Sequence, residues 1–135
     1  MVALMATLLL ANTALAGGKC PQKRATKSAP ANIAGKDATG KANKGNGEKL
    51  YQKTAKPMAC QMCHGPAGDG AGKLGKALKP APRNFACADT MKDVSAGQMF
   101  WIIKNGSKGT GMAPMKLKDG EIWDVIKYIR EDLMK

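Results

Sequence analysis

One short segment of this 135-residue chain carries side chains whose types and spacing could do redox chemistry. Cys60 and Cys63 are separated by two residues, and His64 follows at once. This spacing is the attachment pattern of a c-type haem, in which each thiol forms a thioether with one vinyl group. One helical turn brings both sulfurs to the same porphyrin edge, where His64 can supply the proximal nitrogen to the iron. The segment therefore predicts one covalently bound haem c.

Two other uses of a Cys-x-x-Cys pair fit the chain less well. A structural zinc site needs four ligands at paired spacings, whereas the remaining cysteines, Cys20 and Cys87, are isolated and distant. A thioredoxin-like redox pair needs a βαβ setting, which the Gly- and Lys-rich flanks do not provide. Haem attachment is the interpretation that the spacing favours.

The second axial ligand of such a haem must come from a residue type other than histidine, because His64 is the only one. Electron-carrying haems pair a histidine with a methionine or a second histidine, so methionine remains. The candidates are Met58, Met62, Met91, Met99, Met112, Met115 and Met134. Of these, Met112 and Met115 lie in a Gly-rich segment before the last predicted helix, where a loop can fold over the far face of a haem.

The elements that must position these residues are predicted to be helical. Helices are expected over 47–55 and 58–64, from a capping Ser95 to a stop at Asn105-Gly106, and from Asp119 onward. The last of them has a buried stripe at helical spacing: Ile122, Val125, Ile126, Ile129 and Leu133. No stretch alternates like a strand. We therefore predict an all-α fold of about four short helices wrapped around the haem, with glycines in the loop after His64 letting the backbone pass close to it.

The start of the chain reads as a targeting segment followed by a basic arm. Residues 2–10 are almost all apolar, too few to span a bilayer, and Ala14 to Ala16 match a cleavage site, which predicts a signal peptide over 1–16. Residues 17–46 carry seven basic side chains and one acid, with no hydrophobic period. Such composition predicts a disordered arm, either a tether to an anionic membrane or acidic partner or a solubilising tail. A haem domain would occupy 47–135.

Residues 47–135 resemble a class I cytochrome c of the bacterial periplasmic type. The resemblance rests on Leu50-Tyr51, the run Cys60-x-x-Cys63-His64-Gly65-x-x-Gly68-Asp69-Gly70, Pro82-Arg83-Asn84-Phe85, Phe100-Trp101-x-Ile103-Lys104-Asn105-Gly106, Gly111-Met112, and Ile122-Trp123-x-x-Ile126-x-Tyr128-Ile129. It implies that His64 and Met112 ligate the iron, with Met115 as the alternative because Ala113 separates Met112 from Pro114. It also implies that a proline carbonyl, from Pro82 or else Pro80, accepts the ring N–H of His64.

The resemblance further implies that Gly47 and Tyr128 mark a crossing of the first and last helices. In this chain Tyr51 and Cys60 are further apart than in relatives, which predicts an outward bulge around residues 56 and 57. Whether Cys20 and Cys87 form a disulfide or remain unpaired stays open, since connectivity cannot be read from sequence.

The function that the resemblance implies is one-electron transfer in the periplasm, by a monomer and not an enzyme. The expected partners are acidic-surfaced redox proteins: a periplasmic dehydrogenase, a bc1-type complex or a terminal oxidase. The haem domain has fifteen basic and nine acidic side chains, and five lysines fall in the loops expected to surround the exposed haem edge: Lys73, Lys76, Lys79, Lys108 and Lys116. A haem peroxidase or ligand-binding cytochrome is the enzyme alternative. A module binding membrane through the arm is the third, and nucleic acid is not expected, since no aromatic residues lie between the arm's charges.

Overall fold

The computed structural model describes residues 18–22 and 26–135, and the predicted signal peptide over 1–16 lies outside these ranges. The described residues form helices and loops without a strand, which confirms the all-α prediction. The helices are α1 (Ala31–Ala34), α2 (Lys44–Lys49), α3 (Gln61–His64), α4 (Ala88–Met91), α5 (Ala96–Asn105) and α6 (Asp119–Tyr128). Within the same ranges, no helix has the length and apolar character needed to cross a membrane.

The crossing of α2 and α6 is the centre of the fold. The side chain of Asn43 accepts a hydrogen bond from Asn46 N–H, so α2 begins three residues earlier than predicted, and it continues as a π-helical turn over Leu50–Thr54. A Cβ atom on Gly47 would lie 1.9 Å from the carbonyl oxygen of Asp124. The two helices can therefore approach this closely only because position 47 has no side chain. The predicted crossing at Gly47 is confirmed.

Helix α5 begins and ends where the sequence predicts, and α6 begins where it predicts. Ser95 Oγ accepts from Gln98 N–H at 3.1 Å at the start of α5, and Gly106, with φ 72°, ends it. At the start of α6, a carboxylate oxygen of Glu121 accepts from Lys118 N–H at 2.8 Å. The helix continues as a π-helical turn over Ile129–Leu133, and its predicted apolar stripe is buried throughout. Local capping and periodicity therefore suffice to define both helices.

The arm differs from its prediction, because residues 18–22 and 26–46 hold defined positions against the helices. Helix α1 packs on α5, where Ser95 Oγ donates to Ala34 O at 2.7 Å. A Cβ on Gly97 would lie 2.0 Å from Ile33 O, so a glycine of α5 admits the arm's backbone. Disorder was predicted because the arm has few apolar side chains to bury. The described part of the arm is held instead by side-chain hydrogen bonds to its backbone groups and by a covalent link, neither of which needs a large apolar face.

The covalent link is a disulfide between Cys20 and Cys87, with Cα atoms 5.6 Å apart. It settles the question that the sequence left open. Cys20 is exposed, whereas Cys87 is buried just before α4. The bond therefore fastens the start of the arm to the loop that leads into α4.

Candidate haem-attachment site

Cys60 immediately precedes helix α3 and Cys63 lies on it, and the π-helical turn that continues α2 holds α3 in place. The hydroxyl of Tyr51 is buried and donates to Gly65 O at 2.7 Å, just beyond the end of α3. The side-chain amide of Gln61 donates to Gln52 O at the start of α3. The helix predicted over 58–64 is shorter, since the first amide to bond back along it is that of Met62, at 3.1 Å from Ala59 O. Both ends of α3 are thus attached to the π-helical turn that continues α2.

The loop after the motif folds back over α3. Gly70 N–H donates to His64 O at 2.8 Å, and Gly72 N–H donates to Cys63 O at 3.1 Å. A Cβ on Gly75 would lie 2.1 Å from Cys63 O. The last carbonyls of α3, which have no partner within so short a helix, are therefore satisfied by this loop. The glycines of this loop let its backbone lie close to the backbone of α3. The sequence predicts a different purpose for them, which is to let the backbone pass close to the haem.

The ring of His64 is fixed by a backbone carbonyl and by an aromatic neighbour. Its Nδ1 lies 3.1 Å from Arg83 O, and the ring stacks on Phe85 with centroids 4.5 Å apart and an interplanar angle of 14°. A proton on Nδ1 leaves the lone pair on Nε2, the nitrogen suited to bind iron. The supporting carbonyl was predicted to come from Pro82 or Pro80, and the structure corrects this to Arg83.

The correction has a physical cause in the arm. The carbonyl of Pro82 accepts from the side-chain amide of Gln22 at 2.9 Å, so it is directed to the arm. The next carbonyl along the chain then reaches His64. The motif Pro82-Arg83-Asn84-Phe85 identified the segment that supports His64, but not which of its carbonyls faces the ring. Nothing in the local pattern around Gln22 could have revealed its role.

Within the described residues, the two motif thiols lack the further ligands that a structural zinc site needs. Both are free cysteines, and burial raises the pKa of the Cys60 thiol to about 12 and raises the pKa of Cys63 as well. No group of three or more His, Cys, Asp or Glu side chains within the described ranges could hold a metal ion. The setting suits neutral sulfur, as in a thiol or a thioether.

The segment after α5 brings both candidate methionines to the same part of the molecule. Met112 O accepts from Ser107 N–H at 2.8 Å, and Met115 N–H donates to Ile103 O at 2.9 Å, while both side chains pack partly buried against the core. Gly111 lies on the side chain of Leu78, which closes the turn that begins at Gly75. A continuous path of contacts therefore joins this segment, through that turn, to Cys63.

The extra residues between Tyr51 and Cys60 also contact this segment. The carbonyl of Lys56 accepts from Lys116 N–H at 2.8 Å. Lys56, Pro57 and Met58 are exposed, as the predicted bulge requires. The bulge therefore contacts the end of the segment that carries Met112 and Met115.

The residues present fit a haem. Two unlinked thiols lie one helical turn apart, and a histidine directly beside them has its Nδ1 fixed by a carbonyl. Leu74, whose amide bonds to Met62 O of α3, leaves 44% of its surface exposed, and Met58 leaves 43%. Large apolar side chains left open beside the motif are what a flat apolar cofactor would cover. When bound, such a group would supply an iron that gains and loses one electron.

Comparison with known proteins gives the same assignment. The family model for cytochrome c matches residues 44–131, more than half of the chain. A solved structure of the reducing HAO-like protein complex of Kuenenia stuttgartiensis is similar, with a TM-score of 0.52 and 22% identity over 67% of this chain. The match spans 42% of that longer chain, and at this identity it supports the fold alone. No curated protein matches the sequence. With this match and its Cys-x-x-Cys-His motif, the chain belongs to the cytochrome c family, whose members carry electrons on covalently bound haem c.

Proposed function

We propose that this protein is an exported monohaem cytochrome c that carries single electrons between respiratory redox proteins in the periplasm. The observation that carries the proposal is the geometry of the only histidine, whose Nδ1 is held by Arg83 O beside two unlinked thiols. This arrangement provides one proximal ligand and two thioether positions. With a methionine on the other side, the iron has no open position for a substrate, so the protein acts as a carrier and not as an enzyme.

Met112 is our choice for the distal ligand because of its position in the loop. Its neighbour Gly111 contacts Leu78, whose turn adjoins Cys63. Met115 is itself bonded to α5, through its N–H to Ile103 O, and it precedes Lys116, which contacts Lys56. Of the two candidates, Met112 is thus the one whose neighbour contacts the turn next to Cys63, which supports its choice. Its soft sulfur would stabilise ferrous iron and raise the reduction potential.

The proposed partners are acidic-surfaced redox proteins such as a periplasmic dehydrogenase, a bc1-type complex or a terminal oxidase. The lysines of the haem-domain loops are all exposed, and none forms an ion pair with a residue that the structure describes: Lys73, Lys76, Lys79, Lys108 and Lys116. Unpaired exposed charges of one sign attract a partner of the opposite sign and orient the encounter. The chain would act as a monomer, with any membrane contact made through its basic arm.

Methionine replacement tests the proposal. The oxidised holoprotein should show a sulfur-to-iron charge-transfer band. Met112→Ala should abolish that band and lower the potential, whereas the matched variant Met115→Ala should keep both. The reverse pattern would assign the ligand to Met115. A wild-type protein that lacks the band and binds carbon monoxide or reacts with peroxide would instead be a ligand-binding or peroxidase-type haem protein.

A further inference from the structure

The side chain of Gln22 bridges two peptide groups of the loop that supports His64. Its Nε2 donates to Pro82 O at 2.9 Å, and its Oε1 accepts from Asn84 N–H at 2.7 Å. These two peptide groups flank Arg83, whose carbonyl lies 3.1 Å from His64 Nδ1. We propose that Gln22 is a positioning residue for the proximal histidine, so that the N-terminal arm adjusts the electron affinity of the haem. This inference rests on the proposed function only in taking His64 as the iron ligand.

Further contacts hold the same loop against the arm. The guanidinium of Arg83 donates to Thr26 Oγ1 at 3.0 Å and to Thr90 O at 3.2 Å. The side-chain amide of Asn84, which is 5% exposed, donates to Gly18 O at 2.9 Å. The arm therefore grips this loop on both sides of the carbonyl that faces His64.

Gln22 itself has little freedom to move. Its backbone N–H donates to Thr90 Oγ1 at 3.0 Å, and Cys20, two residues earlier, is bonded to Cys87. Thr90 follows Cys87 by three residues, so the disulfide and the backbone N–H of Gln22 both attach the start of the arm to the first turn of α4. A fixed donor and a fixed acceptor define the position of a peptide group better than water can, since water can reorient.

The chemical consequence follows from what the carbonyl does to imidazole. A hydrogen bond from Nδ1–H to a carbonyl makes the ring a stronger electron donor through Nε2. Stronger donation favours ferric iron and lowers the potential. Loss of the Gln22 bridge would loosen the Arg83 carbonyl, weaken the bond to Nδ1–H and raise the potential.

Gln98 provides a matched control, because it holds the arm by the same kind of bridge at another place. Its Oε1 accepts from Ala29 N–H at 2.6 Å, and its Nε2 donates to Lys27 O at 3.0 Å. Gln98 lies on α5 and makes no hydrogen bond to the loop over 82–84 among the contacts described. Gln98→Ala should therefore loosen the arm while leaving the support of His64 intact.

The experiment compares Gln22→Leu, Gln22→Ala and Gln98→Ala in the full haem-loaded protein. It measures the reduction potential, the NMR resonance of the His64 Nδ1 proton and the free energy of unfolding. Both Gln22 variants should favour ferrous iron by about threefold, which is about 28 mV at 59 mV per tenfold for one electron. The Nδ1 proton should move upfield, towards its position in a weaker hydrogen bond. Gln98→Ala should lower stability and leave the potential and the proton unchanged.

Two results would overturn the inference. One is an unchanged Nδ1 proton and potential in both Gln22 variants. The other is an equal shift in Gln98→Ala, which would mean that any loosening of the arm has the same effect. Retention of the methionine-to-iron band in all three variants separates this question from the proposed function. The proton resonance reports on the Arg83 contact whether or not Met112 is the distal ligand.

Discussion

Removal of the disulfide between Cys20 and Cys87 should destabilise the folded protein strongly. The bond closes a loop with a sequence separation of 67 residues. In the chain-entropy model, a closure of this size lowers the entropy of the unfolded chain by about 15 cal/mol/K, equivalent to about 4 kcal/mol at 25 °C. Because the unfolded state retains some structure, the measured effect is usually smaller. We expect Cys20→Ser to lower the free energy of unfolding by about 2–4 kcal/mol.

The assay is urea unfolding of the haem-loaded protein, followed by circular dichroism and by haem absorbance. At a slope of about 2 kcal/mol per molar urea, the midpoint should fall by about 1–2 M. The slope itself should rise slightly, because the unfolded chain without the cross-link exposes more surface. Cys20 is the better position for the substitution, since it is exposed, whereas Cys87 is 2% exposed and a serine there would also bury a hydroxyl.

A double-mutant cycle provides the control. Each single variant and the double variant lose the same bond, so the loss in the double variant should be close to that of the costlier single one. A loss below about 0.5 kcal/mol in Cys20→Ser would refute the reasoning, because it is the size expected for an ordinary surface substitution. Additive losses would refute it equally, since they would mean that the two sulfurs act independently.

Two further predictions concern the helix crossing and the basic loops. Gly47→Ala should lower the free energy of unfolding by about 2–3 kcal/mol, since its Cβ would overlap a backbone carbonyl of α6. Gly45→Ala on the same helix has only ordinary contacts and should raise it by about 0.5 kcal/mol, so equal effects in thermal unfolding would contradict the crossing. Charge reversal at Lys73 or Lys116 should slow electron transfer with the partner, and added salt should slow it in the wild type, because exposed charges are screened beyond about 10 Å at 0.1 M. Lys36→Glu in the arm should have a smaller effect, and a rate that ignores salt and both substitutions would mean apolar docking.

The sequence predicted features that are determined within a few residues. Ser95 and Gly106 bound α5, and Asp119 opens α6, because caps and stop signals act over a single turn. The spacing of Cys60, Cys63 and His64 likewise defines attachment chemistry without reference to the rest of the chain. Such patterns could be recognised because cause and effect lie next to each other in sequence.

The parts that sequence reasoning missed depend on contacts between distant residues. Gln22 lies about sixty residues before the loop over 82–84 in sequence and bonds to it in the fold. Because Gln22 binds the carbonyl of Pro82, the carbonyl that faces His64 is that of Arg83. The arm has no apolar period, so its order could not be inferred from composition. Its described residues, 18–22 and 26–46, are held by hydrogen bonds and by one disulfide, whose partners only the folded chain brings together.

The most direct test of the account is the mass of the purified full-length protein, matured in a host that attaches c-type haem, after acid-acetone extraction and unfolding. Cys60 and Cys63 should retain one haem through two thioethers, so the mass should equal that of the chain plus one haem. Replacement of both cysteines by alanine should leave the haem extractable. A wild-type protein whose haem is removed by acid-acetone, leaving the bare chain mass, would contradict the central claim.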